Sequence, residues 1–90
     1  MDKERLKRIL ANDGHDDSIF FENPSYDTAI IGITDNGQVC YSYNKMVDYL
    51  VDNDGMTEEE AIEFIDYNTV RAIPYFASHG NVPVIVYDYY

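Results

Sequence analysis

Apolar residues recur at helical spacing in the centre of the chain, from about residue 57 onward. The residues that form this stripe are Ala61, Ile62, Ile65 and Thr69. Before them, Thr57 and Glu60 have the spacing of a capping box, in which each side chain accepts a hydrogen bond from the other residue's backbone N–H. Met56 and Ala61 are placed to close a hydrophobic staple over that first turn. The pattern predicts a well-capped helix with one buried face.

Two features mark the end of this helix. Asn68 and Thr69 are weak helix formers and indicate a point of interruption. Pro74 has no N–H to donate and its ring obstructs the preceding turn, so we expect the helix to stop at Ile73. A loop over residues 75–81 should follow.

A first helix is predicted for residues 2–13, ended by Gly14. Its apolar face carries Leu6, Ile9 and Leu10, and its basic residues are Lys3, Arg5, Lys7 and Arg8. A basic amphipathic segment is able to bind a membrane or nucleic acid. Because three apolar residues make a weak anchor, we prefer the interpretation that this helix docks on the body of its own domain.

A further helix should begin at Ser42 or Asn44 and run to about Asn53, after which Gly55 reverses the chain. The residues expected to face inward are Met46, Val47, Leu50 and Val51. So few residues separate this helix from the capped one that the two should form a helical hairpin or corner.

Alternating apolar and polar residues predict a β-hairpin, with strands at about residues 26–34 and 38–43. The side-chain pattern selects a three-residue loop, Asp35-Asn36-Gly37, with Gly37 in the left-handed conformation. In that register apolar residues face apolar residues: Ile33 opposite Val39, Ile31 opposite Tyr41, and Ala29 opposite Tyr43. Gly32, on the other face, is the candidate for a bulge or a close backbone contact.

A third strand is predicted for residues 82–87, whose run Val84-Ile85-Val86 should be buried on both faces and paired with the hairpin. The order helix, strand, strand, helix, helix, strand predicts an α+β fold. We expect one small domain, with an antiparallel-rich three-stranded sheet and helices over one face. Within it, residues 1–14 form the basic amphipathic helix and residues 15–90 the acidic α+β body.

The apolar segment Ile19-Phe20-Phe21 stands in a polar connector that ends at Asn23 and Pro24. We expect its two phenylalanines to be tucked into the core from a loop or short strand. If they were exposed, they would be anchors for a binding partner.

Charge is the property of the composition that bears most on function. The 90 residues include 17 acidic and 6 basic ones, a formal net charge of −11. Four of the basic residues lie among the first eight, so residues 9–90 carry a net charge of −13. Such a surface repels nucleic acid and anionic lipid, and attracts basic protein surfaces over roughly a Debye length, ~8–10 Å. The alternative is that the acidity only keeps the protein in solution.

Cellular location is suggested by cysteine content and hydropathy. The single cysteine excludes an internal disulfide framework and fits a reducing compartment. No apolar run approaches the roughly 20 residues needed to cross a bilayer, and no signal-peptide core follows Met1. We therefore expect a cytoplasmic protein.

The sequence contains no catalytic, cofactor-binding or metal-binding signature. Nucleophilic catalysis would require Cys40 beside His15 or His79, with a third group to orient the base. The acidic stretch around Gly55 does not fit a calcium loop, because placing Gly55 at position six puts apolar residues at two ligand positions. We predict a protein that is not an enzyme and has no cofactor.

A family resemblance is carried by the segment DGMTEEEAIEFIDYNTVRAIPY, residues 54–75, and by shorter stretches at 26–32, 43–47 and 83–86. There the chain resembles a group of small acidic proteins of bacteriophages, prophages and host-associated bacteria, over roughly residues 23–90. The resemblance implies a mobile-element accessory protein in the cytoplasm of a host bacterium. That class includes inhibitors of host defence nucleases, such as anti-CRISPR proteins.

The first functional hypothesis is a non-enzymatic module that docks its acidic surface onto a basic protein. If that partner binds nucleic acid, the module competes with DNA or RNA as a mimic. Tyrosines near the surface suit such a contact, since they bring area and a hydrogen bond with few rotatable bonds. The residues predicted to contact the partner are Asp52, Asp54, Glu58, Glu59, Glu63, Asp66, Tyr67, Tyr89 and Tyr90. We expect no direct contact with nucleic acid or membrane.

Two other hypotheses belong to different classes. A small structural or regulatory homodimer would pair through the third strand or through residues 19–21. A small enzyme would need Cys40 and a histidine in one pocket. Arg71, one of two cations after residue 8, is expected to have a structural role, paired with Tyr67 or with a carboxylate of another element.

Overall fold

The computed structural model describes residues 2–88. The helices are α1 (Lys3–Asn12), α2 (Tyr43–Asp54), α3 (Glu58–Phe64) and α4 (Arg71–Phe76). The strands are β1 (Ile30–Ile33), β2 (Val39–Ser42) and β3 (Val84–Val86). A π turn, Ile65–Val70, joins α3 to α4, and a 3-10 turn, Asp27–Ala29, precedes β1. The predicted α+β class, the single domain and the order of elements are confirmed.

The turn between β1 and β2 has the predicted three-residue loop. Gly37 has a φ of 85°, which favours glycine. The Thr34 N–H donates to the Gln38 carbonyl at 2.8 Å, which closes the loop. Ile33 is paired with Val39, as predicted.

Further from the turn, a bulge changes the register of the hairpin. The pairing shifts between Ile30 and Gly32, so Tyr41 faces Ile30 in place of the predicted Ile31. Ile31 is 42% exposed as a result. Ile31 is the unpaired residue of the bulge, and Gly32, which pairs with Cys40, lies directly beside it. No atom lies within 4 Å of the position that a Cβ of Gly32 would take, so the predicted alternative of a close contact is wrong.

The two strands are shorter than predicted. Ala29 ends the 3-10 turn and Tyr43 begins α2, so the predicted pairing of these two residues is wrong. Both backbones have already left the strand conformation at this point. The sequence pattern did not detect this, because both residues are buried and fit an inward-facing position equally well.

β3 extends the sheet in the order β1-β2-β3 and pairs with β2 in parallel, so the sheet is mixed. A parallel neighbour needs a long crossover, which the run from α2 to α4 provides. The prediction that β3 is buried on both faces is wrong. The strand lies at the sheet edge, its residues are half-buried or exposed, and Val86 is 39% exposed.

α2 and α3 form the predicted helical hairpin. Ser42 caps α2 by accepting from the Lys45 N–H at 3.2 Å, and Gly55 ends it with a φ of 68°. Thr57 and Glu60 form both hydrogen bonds of the capping box at the start of α3. The two helices are antiparallel, because the Tyr43 hydroxyl at the start of α2 donates to Asp66, beyond the end of α3, at 3.2 Å.

The helical run that starts at Glu58 changes character rather than ending. The π turn lies at the predicted point of interruption, and its wider turn leaves both Ile65 and Thr69 buried. The predicted end at Ile73 is wrong, since α4 continues to Phe76 with Pro74 inside it. Pro74 is the fourth residue of α4. The π turn directly before α4 has already broken the regular i to i−4 hydrogen-bond pattern, so a missing donor costs little there.

The core lies between the sheet, α1 and the α2–α3 hairpin. Its buried residues include Leu6 and Leu10 of α1, Val39 and Tyr41 of β2, and Met46, Leu50 and Ile65 of the helical run. α1 therefore docks on the body of the domain. Three residues predicted to face inward lie at the edges of the buried stripes and are 36–41% exposed: Ile9, Val51 and Ile62.

Candidate functional site

Residues 46–70 form a surface that we call the acidic hairpin: most of α2, all of α3 and the π turn. This stretch contains no lysine, arginine or histidine. Its carboxylates are Asp48, Asp52, Asp54, Glu58, Glu59, Glu60, Glu63 and Asp66. All eight are exposed. Because α2 and α3 are antiparallel neighbours, one small region carries nearly half of the acidic residues of the chain.

The described residues do not neutralise this surface with ion pairs. The two ion pairs found within residues 2–88 both use cations of α1. Lys3 faces Asp27 at 3.2 Å, and Lys7 faces Glu4 at 3.9 Å. The carboxylates of the acidic hairpin are therefore available to a cationic partner.

Seven of the nine residues predicted to contact a partner lie on the acidic hairpin. Asp52 and Asp54 are at the end of α2, and Glu58 and Glu59 begin α3. Glu63 follows on α3, and Asp66 and Tyr67 belong to the π turn. Tyr89 and Tyr90 lie outside the described residues. Among the described residues, the Tyr87 ring packs 5.0 Å from the Tyr43 ring, whose hydroxyl donates to Asp66.

Arg71 has the structural partner that its spacing predicts. Its guanidinium lies 4.7 Å from the centre of the Tyr67 ring, a cation–π contact. Tyr67 is nevertheless 60% exposed, and Tyr75, four residues beyond Arg71, is 78% exposed. An aromatic edge therefore adjoins the acidic hairpin.

A groove of about 400 Å³, which we call the acidic groove, lies along α3 and the π turn. Its lining residues are Met56, Glu60, Glu63, Phe64, Tyr67 and Asn68. The Thr57 backbone N–H donates to Glu60 at 2.9 Å and lowers the pKa of that carboxyl, so Glu60 keeps its charge. Glu60 is not among the residues predicted to contact a partner, because its role in the capping box already accounts for a glutamate at this position.

A second cavity, of about 310 Å³, lies between residues 19–24 and the α3–α4 run; we call it the apolar pocket. Its walls include the half-buried rings of Phe20, Phe64 and Phe76, and its rim carries Glu22, Asn23 and Asn68. It shares Phe64 and Asn68 with the acidic groove, so the two depressions adjoin. Residue spacing gave no sign of it, because its walls come from segments about 50 residues apart.

The floor of the apolar pocket contains a strained residue. Tyr26 has φ 51° and ψ 33°, and among the described residues it is the one non-glycine residue with a positive φ. Its hydroxyl is hydrogen bonded to that of Thr69 in the π turn at 2.7 Å, with both residues buried. Its ring meets Phe21 edge-on, with centres 5.7 Å apart. These contacts hold the loop and the π turn in a fixed relation.

The remaining carboxylates include a second group, outside the acidic hairpin. Asp16 and Asp17 precede Ser18, which donates to the Gly37 carbonyl in the loop that also carries Asp35. The acidic residues are thus not confined to the acidic hairpin, since nine of the 17 lie outside it. The acidic hairpin is distinguished by its lack of cations and by the exposed rings of Tyr67 and Tyr75 beside it.

Cys40, one of the groups considered for catalysis, is half-buried in β2. Burial raises the pKa of the Cys40 thiol, so less of it is in the reactive thiolate form at neutral pH. Within residues 2–88, no group of three or more His, Cys, Asp or Glu side chains is arranged to hold a metal ion. None of the helices in that range is long and apolar enough to span a membrane.

Comparisons of the chain with protein-family models, with curated proteins and with solved structures gave no match.

Proposed function

We propose that this chain is a non-enzymatic protein-binding module that docks the acidic hairpin onto a basic surface of a partner protein. The main support is one observation: eight exposed carboxylates in residues 46–70, with no cation among them and no ion pair to the described remainder of the chain. A surface of this kind steers a basic partner toward itself and disfavours acidic ones.

The arrangement of the charges suits competition with nucleic acid. Glu59 and Glu63 are one helical turn apart, about 6 Å along the axis of α3, and Asp66 follows on the π turn. This gives a short ladder of negative charge on a rigid scaffold. We therefore propose that, where the partner's basic surface binds DNA or RNA, the module blocks that surface as a mimic.

The family resemblance of residues 54–75 provides the biological setting of the proposal. A mobile-element protein in the cytoplasm of a host bacterium meets host nucleases whose nucleic-acid channels are basic. Inhibition of such a nuclease, in the manner of an anti-CRISPR protein, is the specific form of the docking function that we propose.

Affinity capture with matched variants tests the proposal. The variant Asp52→Asn/Glu59→Gln/Glu63→Gln removes three charges from the acidic hairpin. The control Asp13→Asn/Asp16→Asn/Asp17→Asn removes three charges elsewhere. The immobilised proteins are exposed to bacterial lysate at about 0.1 M and 1 M salt, where the Debye length is ~10 Å and ~3 Å. Added double-stranded DNA then competes for any captured protein.

We expect the native protein and the control to retain the same basic partner at low salt and to release it to DNA or to high salt. The hairpin variant should bind that partner at least about tenfold more weakly, a loss of about 1.4 kcal/mol. Equal weakening in both variants would show attraction by net charge alone, and salt-independent capture would remove the electrostatic basis. Sedimentation of a dimer at micromolar concentration, with no partner captured, would favour the homodimer hypothesis instead.

A further inference from the structure

We propose that the apolar pocket receives one apolar side chain, a leucine or phenylalanine, from a basic segment of the partner, while cations beside that anchor occupy the acidic groove. This inference rests on the proposed docking function and specifies what the partner presents. The partner segment would therefore combine an apolar anchor with neighbouring lysines or arginines.

The apolar part of this recognition follows from the walls of the pocket. Phe20, Phe64 and Phe76 are half-buried, so each keeps apolar surface in contact with water. A side chain that entered the pocket would cover that surface, which is the usual basis of an anchor contact. The volume of about 310 Å³ accommodates a single large side chain.

The pocket is also preorganised. Its floor is held by the hydrogen bond between the Tyr26 and Thr69 hydroxyls and by the Phe21 ring, which packs 4.7 Å from that of Tyr41. The π turn and the left-handed Tyr26 are irregular backbone features of the kind that cluster at functional sites. A rigid pocket loses little conformational entropy when it is occupied.

The charge next to the pocket determines the flanking residues of the partner. Phe64 and Asn68 line both depressions, and Glu60 and Glu63 face the acidic groove beyond them. The other wall carries Glu22 and Phe20, and the Lys3 and Lys7 ammonium groups lie 5.4 and 5.5 Å from the centre of the Phe20 ring, so the negative charge is on the α3 side of the pocket. An apolar anchor followed by acidic residues would be repelled from α3, whereas one whose cations extend toward α3 would find counter-charges in the acidic groove.

Peptide binding to the intact protein tests the inference. The probe is a pentapeptide with one phenylalanine between two pairs of lysines, and a second peptide has serine in place of phenylalanine. A third keeps the phenylalanine and replaces the lysines with alanine. Affinities are measured by fluorescence anisotropy, and the backbone amide signals of Asn68 and Ala72 are followed by NMR. Burial of one large apolar side chain should make the first peptide bind at least about tenfold tighter than the second.

A matched pair of variants locates the contact. Ala72→Leu fills the pocket without altering charge, and Ala77→Leu makes the same change at an exposed position beyond α4. Thermal denaturation confirms that each variant is folded. We expect Ala72→Leu to remove the preference for phenylalanine and Ala77→Leu to keep it.

The outcomes separate the two proposals. If the phenylalanine and serine peptides bind equally, or if Ala72→Leu still prefers the phenylalanine peptide, the proposal of an apolar anchor in the pocket is wrong. Docking through the acidic hairpin is then not contradicted. If the alanine-flanked peptide binds as tightly as the lysine-flanked one, the pocket recognises apolar groups without the charged partner that we infer. If no lysine-containing peptide binds, both proposals fail.

Discussion

Tyr41 is fully buried in the centre of the sheet, and its hydroxyl accepts a hydrogen bond from the Phe21 N–H at 3.1 Å. This hydrogen bond connects the loop that precedes β1 with strand β2. Burial raises the pKa of Tyr41 to about 12, from an ordinary value of 10.0. The neutral phenol is therefore the form that the folded protein favours.

We expect the protein to lose stability between pH 10 and about 12 because of this residue. The unfolded chain releases the Tyr41 proton near pH 10.0, whereas the folded protein holds it to about 12. A raised pKa thus contributes stability that is complete below pH 10 and lost as the pH rises through 12. At 1.36 kcal/mol per pKa unit the loss approaches ~3 kcal/mol.

Denaturant unfolding of the native protein and Tyr41→Phe at several pH values measures this effect. At neutral pH the variant should be less stable by about 1–3 kcal/mol, because the buried Phe21 N–H loses its acceptor. Between pH 10 and 12 it should lose less stability than the native protein. Burial also raises the pKa of Tyr26, and this residue accounts for the pH dependence of stability that remains in the variant. If the stabilities of the two proteins fell equally between pH 10 and 12, the loss could not be attributed to Tyr41.

Gly37 needs both its backbone conformation and its lack of a side chain. Its φ is 85°, and a Cβ atom there would lie 2.3 Å from Cγ of His15. Gly14 is the natural control, with a φ of 82° and no atom within 4 Å of the same position. The left-handed conformation costs alanine about 1–2 kcal/mol at either site.

We expect Gly37→Ala to be less stable than Gly14→Ala by about 1–3 kcal/mol, the usual cost of forcing atoms into occupied space. Thermal or denaturant unfolding measures the difference. Replacing His15 with alanine in the Gly37→Ala background should recover only part of the difference, because it removes Cγ and Nδ1 but leaves the Cβ of residue 15 at 2.7 Å. Equal losses at the two glycines would show that only backbone strain matters.

At the scale of elements, helix ends were the features most accessible from sequence. The capping box of Thr57 and Glu60 and the reversals at Gly37 and Gly55 each depend on a few neighbouring residues, so local patterns suffice to predict them. The same reasoning failed at Pro74, because it did not anticipate that a π turn would precede this residue and change the hydrogen-bond pattern of the helical run.

Features that join distant segments were beyond local patterns. The direction of β3 depends on the crossover from β2. The apolar run Val84–Val86 would fit a parallel or an antiparallel strand equally well, so it does not indicate the direction. The apolar pocket requires residues 19–24 to meet the π turn, which no spacing in either segment reveals. The acidic hairpin, by contrast, was largely predictable, since antiparallel helices with a short connection bring their charges together.

The α2 N-terminus has a distant cap that local signals missed. Asp88 accepts a hydrogen bond from the Asn44 N–H at 3.1 Å and another from the Ser42 hydroxyl. The Ser42 hydrogen bond is the main reason that the pKa of Asp88 lies below its ordinary value of 3.8. A carboxylate at this end of a helix also interacts favourably with the helix dipole.

Removal of this cap by Asp88→Ala should lower the melting temperature at neutral pH by a few degrees. A lowered pKa contributes stability that is present above pH 3.8 and lost as the pH falls through the pKa of the folded state. The difference in melting temperature between the native protein and the variant should therefore become smaller below pH 3.8. Thermal denaturation from pH 7 to pH 2 measures it, and a gap that does not change with pH would mean that the carboxylate charge has no part in the cap.

At the scale of the whole molecule, the part of the acidic hairpin that lies on α2 opposes stability. Asp48 and Asp52 are four residues apart on α2, and like charges at that spacing repel by about 0.2–0.5 kcal/mol. Asp52 also lies in the last turn of α2, where the helix dipole disfavours negative charge. A surface kept for binding at the expense of stability is a common property of functional sites.

Asp52→Lys should therefore stabilise the protein by about 1 kcal/mol at low salt, by removing one repulsion and complementing the dipole. Asp16→Lys makes the same change in net charge outside any helix. Urea unfolding at low and high salt compares the two variants with the native protein. The advantage of Asp52→Lys should diminish as salt screens the charges. Equal stabilisation by both variants would attribute the effect to net charge alone.

The cap that Asp88 forms at the start of α2 has a consequence for biosynthesis. The Asn44 amide finds its acceptor 44 residues further along the chain. Since a ribosome delivers the N-terminal part first, α2 emerges with the local cap of Ser42 but without the Asp88 carboxylate. The second cap of α2 and the parallel neighbour of β2 therefore form only after Val84–Val86 and Asp88 have been synthesised.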